Sequence, residues 1–193
     1  MRAEPMGHGG VLRLEPRVFR DDRGRFVETW HRERYAALGL AGPWAQDNVS
    51  VSRRGVLRGL HAQHPTAQGK MVTVLQGRVF DVAVDIRTGS PGFGTWVGAE
   101  LDGESMAALW IPPGFAHGFL VLSDEAVFAY KCTAPYDPAA EFSVRWDDPR
   151  IGIRWPGGVA PLLSAKDAMA PMLDDLQRAV SADRQRRPVK ALA

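Results

Sequence analysis

The alternation of hydrophobic and polar positions makes the middle of the chain strand-like. In Val79-Phe80-Asp81-Val82-Ala83-Val84-Asp85-Ile86, the large residues Phe80, Val82, Val84 and Ile86 alternate with Asp81 and Asp85. A period of two places the large side chains on one face of a strand and the acids on the other. Thr95 to Leu101 and Val127 to Lys131 are rich in β-formers and predict further strands. Gly89-Ser90-Pro91-Gly92, Pro112-Pro113-Gly114 and Leu122-Ser123-Asp124-Glu125 punctuate these segments as turns. Short strands at roughly ten-residue spacing, with turn signals between them, predict a sandwich or barrel. Helical periodicity is confined to the edges. His31 to Leu40 predicts a short helix ended by Gly39 or Gly42, and Leu173, Leu176 and Val180 recur at helical spacing around 174–183. No repeat, linker or low-complexity stretch interrupts the pattern. It predicts one mostly-β domain over 1–193, with its core at about 11–175.

Composition narrows the class. The 193 residues are 45% hydrophobic and 24% charged, the balance of an ordinary globular chain with one core. A formal net charge of +2 gives no global field toward nucleic acid or a membrane surface. Arg184, Arg186, Arg187 and Lys190 concentrate positive charge at the end and predict a flexible, solvated tail over 184–193. The single cysteine, Cys132, forms no internal disulfide, and MRAEPMGHGG lacks the apolar core of a signal peptide. No apolar run of about 20 residues is present, so no membrane span is expected. A soluble, cytoplasmic protein is the expectation.

Candidate chemistry starts with the five histidines. His8 lies in a glycine-flanked start and His31 on the expected surface helix. His61 and His117 sit in glycine-bearing apolar stretches, Arg58-Gly59-Leu60-His61 and Gly114-Phe115-Ala116-His117-Gly118-Phe119. Strands of that kind can hold an imidazole rigidly toward a barrel lumen; a hydrogen-bonded core histidine is the competing reading of either. Small β-barrels often bind metal through His-x-His, but here Gln63 occupies the position two after His61, and an amide is a poor ligand. A metal-free site is favoured. An imidazole, with an unperturbed pKa near ~6.5, suits general-base work at neutral pH and usually needs a carboxylate to orient it. Asp167, Asp81 and Asp85 are all candidates for that carboxylate. Tyr130, in phase with Phe128, is either a lumen-facing proton donor or a core residue. Arg23, Arg58 and Lys70 lie in or beside apolar, glycine-bearing strands, and cations so placed point to an anionic ligand such as a phosphate. No Walker-type or GxGxxG loop precedes a helix, and Gly92-x-Gly94 reads as a turn.

In chain order, Glu15-Pro16-Arg17-Val18-Phe19, Asp22-Arg23-Gly24-Arg25-Phe26-Val27-Glu28, Gln46-Asp47-Asn48 and Gly55-Val56-Leu57-Arg58-Gly59-Leu60-His61 are followed by Gln68-Gly69-Lys70 and Phe80 to Arg87. Trp110 to Phe119, Tyr130-Lys131-Cys132-Thr133 and Leu163-Ser164-Ala165-Lys166-Asp167 complete the series. Together they resemble the dTDP-4-dehydrorhamnose 3,5-epimerase family over nearly the whole chain. Each stretch is weak alone; their collinearity is specific.

The resemblance implies an all-β, cupin-type jelly-roll barrel with short peripheral helices on the N-terminal side and at the C-terminus. It implies a homodimer, and a reaction that uses no metal or other cofactor. The implied substrate is a dTDP-linked 4-keto-6-deoxyhexose, whose C4 carbonyl acidifies C3–H and C5–H. By position, His61 resembles the base, Asp167 its orienting partner, Tyr130 the acid on the opposite face, and Lys70 the cation beside the C4 oxygen. His117 resembles a hydrogen-bond donor to substrate, Arg23 and Arg58 nucleotide and diphosphate contacts, and Tyr136 a tyrosine stacked on the nucleobase. Phe26, Glu28, Gln46, Asn48, Glu141 and Lys166 correspond to further substrate-binding positions. Ala62, Thr73 and Ala134-Pro135 depart from the family pattern without touching the implied base, acid or carboxylate. They leave open a single-centre epimerase on a related nucleotide sugar. A metal-dependent cupin enzyme and a non-catalytic sugar-binding jelly roll are the readings from other classes.

Overall fold

The computed structural model describes residues 1–176 and Arg178. In chain order the elements are β1 (Arg2–Pro5), β2 (Leu12–Glu15), β3 (Val18–Asp21), β4 (Gly24–Val27), α1 (Arg32–Ala36), β5 (Gln46–Arg53) and β6 (Leu57–Gln63). There follow β7 (Lys70–Gln76), β8 (Arg78–Asp85), β9 (Trp96–Asp102), β10 (Ala108–Ile111), β11 (Phe115–Val121), β12 (Glu125–Cys132), β13 (Glu141–Ser143) and α2 (Ala165–Ala168). One sheet has six strands in the order β1-β2-β10-β7-β12-β5; the other has five, β13-β6-β11-β8-β9. All their pairings are antiparallel. The hairpin β3–β4 forms a small separate sheet. This is the expected all-β jelly-roll barrel of cupin type. Among the described residues no helix is long and apolar enough to cross a membrane.

The core lies between the two large sheets. Val72, Val74, Leu109, Ile111 and Phe128 of the six-stranded sheet meet Val79, Ala83, Leu101, Phe115 and Phe119 of the five-stranded one. The outer face of the five-stranded sheet is buried as well: Leu60, Val82, Val84 and Ala116 are covered by Val144, Ile151 and Leu173 from the segment after β13. That second layer explains the acids of β8. Asp81 and Asp85 alternate with apolar residues, as the sequence predicts, yet their face is the barrel interior, and both are buried. Where both faces of a strand are covered, alternation no longer marks the solvent side.

The outer face of the six-stranded sheet is only partly covered. Tyr35 of α1 and Leu40 pack with Leu14, Met71 and Ala108. The helix is shorter than the expected span from His31 to Leu40. Past Ala36, backbone bonds from Leu38 to Tyr35 O and from Gly39 to Ala36 O tighten the chain into a turn. On β5, the residues Gln46, Asn48, Ser50 and Ser52 face inward, while Val49 (63% exposed) and Val51 (58%) look outward from an unpaired sheet edge. At the C-terminus residues 173–176 are helical. The rest of the helix expected over 174–183, and the basic tail at 184–193, lie outside the described residues apart from Arg178.

Candidate active site

A cavity of about 400 Å³ opens between the sheets at one end of the barrel, lined by both. His61 on β6 and His117 on β11 stand on the five-stranded wall, where they are direct cross-strand partners. Lys70 on β7 and Tyr130 on β12 stand on the six-stranded wall. Gln46, Asn48 and Arg58, with Tyr136 and Glu141, complete the lining predicted from the sequence. Period two explains the convergence, because one face of every strand looks into the barrel.

The approach of β6 to β11 depends on two glycines. A Cβ on Gly59 would lie 2.6 Å from Gly118 Cα and 2.7 Å from the His117 carbonyl oxygen, and Gly59 has a φ of +119°. Only glycine meets both conditions without strain.

His61 Nε2 lies 2.6 Å from Asp167 Oδ1. Asp167 belongs to α2, whose N-cap Ser164 accepts a hydrogen bond from the Asp167 backbone N–H at 3.1 Å. Burial by itself would raise the Asp167 carboxyl. The hydrogen bond and charge of His61, with Ser164 and the Gly59 backbone N–H, outweigh it and hold the group below the usual carboxylate range. Asp167 is therefore ionised at neutral pH and fixed against one ring nitrogen of His61. Of the other two carboxylates considered as orienters, neither meets His61. Asp81 Oδ2 lies 2.8 Å from His117 Nε2, and Asp85 binds Arg87 and Ser90.

Opposite, burial raises the Tyr130 phenol, with a further upward push from Cys132, so it keeps its proton at neutral pH. Burial pulls the Lys70 ammonium down, while Cys132, Asp81 and Glu141 oppose that pull. The Lys70 ammonium makes no hydrogen bond or ion pair with any described residue. It is an unspent cation on a cavity wall.

The rim is cross-linked. Gln46 Nε2 donates to Asn48 Oδ1 at 2.8 Å, and its Oε1 accepts the Tyr136 backbone N–H at 2.7 Å. The Tyr136 hydroxyl donates to Glu141 Oε2 at 3.0 Å, and Lys166 pairs with the same oxygen. Arg58 Nε donates to Ser52 Oγ at 3.1 Å, which directs the guanidinium along the inner stripe of β5. Gln63 spends its amide on two loops, the β6–β7 connection and the segment before β13: Nε2 donates to the Thr66 and Pro135 carbonyls, and Oε1 accepts from Asp137 N–H. Among the described residues no group of three or more His, Cys, Asp or Glu side chains is arranged to hold a metal ion.

Arg23, Phe26 and Glu28 do not reach the cavity of their own chain. Arg23 is in the exposed β3–β4 turn and pairs with Asp21; Phe26 on β4 is 70% exposed; Glu28 pairs with Arg34. Sequence reasoning also missed several features. Ser50 lines the cavity with a buried hydroxyl that has no hydrogen-bond partner among the described residues, and Phe119 and Phe128 stack at 4.1 Å beneath His117. The inward stripe of β5 was readable as alternation in 46–52; the aromatic stack, formed across two sheets, was not.

The family model described as dTDP-4-dehydrorhamnose 3,5-epimerase matches residues 7–175. The dTDP-4-dehydrorhamnose 3,5-epimerase of Salmonella typhimurium is 54% identical over 166 residues, 85% of this chain and 91% of the relative. The dTDP-4-dehydrorhamnose 3-epimerase of Streptomyces niveus is 44% identical over 181 residues, 93% of this chain and 87% of the relative. Among solved structures, the dTDP-6-deoxy-D-glucose-3,5-epimerase of Legionella pneumophila, in complex with dTDP-4-keto-L-rhamnose, superposes with a TM-score of 0.83. It is 53% identical, and the match covers 85% of this chain and 88% of that one.

Proposed function

The chain belongs to the dTDP-4-dehydrorhamnose 3,5-epimerase family, and on that premise we propose that it inverts C3 and C5 of a dTDP-linked 4-keto-6-deoxyhexose, as in rhamnose-type biosynthesis. It is an isomerase. The C4 ketone acidifies the adjacent C–H bonds, so each centre is inverted by losing a proton from one face and regaining one on the other. His61, oriented by Asp167, takes the proton as general base. The resulting enolate carries its charge on the C4 oxygen, where Lys70 stabilises it as a fixed cation in a partly desolvated cavity. Tyr130, protonated and on the other wall, returns a proton to the opposite face of the ring.

The observation that carries this reading is the placement of base and acid on facing sheets, with His61 and its carboxylate on one wall and Tyr130 on the other. A binding pocket alone has no use for such opposition. Arg58, Gln46, Asn48, Tyr136, Glu141 and Lys166 then hold the nucleotide end at the rim.

Arg23, Phe26 and Glu28 act in a homodimer. Exposed Phe19 and Phe26 on the hairpin, and Val49 and Val51 on the open edge of β5, are apolar surfaces that a second copy would cover. The hairpin of one copy then reaches the cavity mouth of the other, where Arg23 meets the anionic nucleotide. Light scattering on the purified protein should return twice the chain mass. The metal-free chemistry and the cytoplasmic setting belong to the same proposal.

The decisive experiment is proton NMR of dTDP-4-keto-6-deoxyglucose with the enzyme in heavy water. Deuterium should enter at C3 and C5. Entry at neither position refutes the reading, and entry at one alone, after long incubation, replaces it with a single-centre epimerase like the Streptomyces niveus relative.

A further inference from the structure

The hairpin β3–β4 stands apart from both large sheets, and neither of its strands joins their ladders. A two-stranded hairpin is marginal in water by itself, so its attachment to the barrel decides how it is held. Its cross-strand pairs include Phe19 with Phe26 and Arg20 with Arg25. Period two places the two phenylalanines, whose rings lie 6.5 Å apart, on one face and the two arginines on the other. Arg23, in the turn, bends back to Asp21, which shares the phenylalanine face.

Like charges directly opposite one another destabilise a strand pair, and here one carboxylate answers both. Glu104 Oε1 lies 2.7 Å from Arg25 Nη1, and Glu104 Oε2 lies 3.1 Å from Arg20 Nη2. The same Arg20 nitrogen donates to the Glu104 carbonyl at 3.0 Å. Among the described residues, no other hydrogen bond or ion pair links β3 or β4 to the barrel. Glu104 is itself held firmly, in the turn between β9 and β10. Asp102 Oδ1 accepts the backbone N–H groups of Glu104 and Ser105 at 2.8 and 2.7 Å. Gly103 N–H donates to Gly77 O at 3.0 Å, and Thr73 Oγ1 donates to Ala107 O at 3.2 Å. The turn is thus pinned to β7 and to the corner between β7 and β8.

Exposed ion pairs add little to folding stability. Two of them made by one anchored carboxylate have a different effect: they set the angle at which the arm leaves the barrel, and so the direction in which Phe26 and Arg23 point. We propose that Glu104 is a positioning residue for nucleotide binding, holding the β3–β4 arm so that Arg23 meets the anionic nucleotide in the cavity of a second copy. The inference rests on the homodimeric reading of Arg23 and adds the residue that aims its arm. Glu104 touches neither the substrate nor the reacting atoms. Its effect passes through two arginines on one face of the hairpin to the ligand-seeking residues on the other.

The test is titration calorimetry with dTDP, which needs no turnover. Glu104→Ala should weaken dTDP binding about 3- to 10-fold, the scale of ordering one or two long side chains. Its kcat with the saturating sugar nucleotide should stay within about twofold, because the nucleotide end is bound alike in ground and transition states. The double variant Glu104→Ala/Arg23→Ala should bind dTDP no more weakly than Arg23→Ala alone. Loss by the product of the two single effects overturns the inference, as does parent affinity in Glu104→Ala. Amide hydrogen exchange gives a readout without ligand: residues 18–27 should exchange at least about fivefold faster in Glu104→Ala, with β8 and β11 unchanged. Parent exchange rates in the arm also overturn the inference. The pair Arg20→Ala/Arg25→Ala cuts the same tie from the arm's side and should reproduce both effects; parent behaviour there overturns it equally. Parent affinity in Arg23→Ala would instead overturn the reading of Arg23 as a nucleotide contact, and absence of deuterium uptake by the unaltered enzyme the epimerase reading. The exchange measurement depends on neither and then decides whether Glu104 holds the arm.

Discussion

Replacing Gly59 by alanine adds one methyl group at the point where the two histidine-bearing strands touch. Gly59 has a φ of +119°, and holding a residue with a Cβ there stores strain of about 1–3 kcal/mol. The new Cβ would also lie 2.6 Å from Gly118 Cα and 2.7 Å from His117 O. Both neighbours are backbone, so no side chain can swing away and β6 must part from β11. Overpacking of that kind costs about 1–3 kcal/mol more. The sum, about 2–6 kcal/mol, lowers the melting temperature by roughly 4–24 °C at about 2–4 °C per kcal/mol for a chain of this size. Activity suffers separately. His61 follows Gly59 by two residues, so the displacement falls on the 2.6 Å contact between His61 and Asp167. A misplacement approaching 1 Å can cost about 100-fold in rate, and we expect kcat to fall about 10- to 100-fold well below the melting transition. Calorimetry and the deuterium-uptake assay read the two effects. Gly89→Ala is the control: φ is +89° there, but nothing lies within 4 Å of the added methyl. It should show the strain component alone and full turnover. Equal melting temperatures for the two variants, or unchanged kcat in Gly59→Ala, would refute the close-approach argument.

Three further outcomes are expected. Tyr130→Phe should keep deuterium uptake at the centres His61 can reach while inverted product falls at least about 100-fold; product formed at the parent rate would remove Tyr130 as the acid. Tyr35, on α1, is raised to about 12 by burial and then by the charge of Glu28. Its folded form holds the proton longer than the unfolded chain does, so its contribution is fully present below about pH 10 and is lost as pH rises from there toward 12. Urea unfolding of Tyr35→Phe should lack that alkaline loss of up to about 2–3 kcal/mol, and parallel curves for the two proteins would contradict it. Finally, mixing inactive Arg23→Ala and His61→Ala chains after subunit exchange should restore about a quarter of parent activity, since half the dimers are hybrids with one intact site each; no recovery would place Arg23 outside the partner's cavity.

Much of the architecture was legible because β-strands announce themselves by period and by turn residues. β8, β9 and β12 fall where alternation and β-formers predicted them. β11 did not show by alternation, because all of its residues from Phe115 to Val121 are buried. Residue context singled out His61, His117, Arg58, Lys70 and Tyr130 as candidates, but the pairing of His61 with Asp167 was legible only through motif resemblance. His61 and Asp167 lie 106 positions apart, and no periodicity links a strand in the first third of the chain to a single-turn helix near its end. The same gap hid the partner of Asp81, which the sequence offered as one orienter among three and the fold assigns to His117. Arg23, Phe26 and Glu28 mark a different limit: the fold of one chain leaves them away from its own cavity, and only the proposed homodimer gives them a ligand to meet.

β5 carries two unrelated surfaces on one backbone. Gln46, Asn48, Ser50 and Ser52 look into the cavity, and Val49 and Val51 look away from it. A slip of one residue against β12 would exchange the two sets completely, sending valines into the cavity and polar side chains to the outer surface. If β5 serves the proposed ligand recognition and subunit contact, both would thus be lost in a single event rather than by degrees. In the proposed homodimer, a misregistered molecule would be both inactive and unable to join a correct partner, so errors in pairing this edge strand would be excluded from assembled enzyme without any separate check.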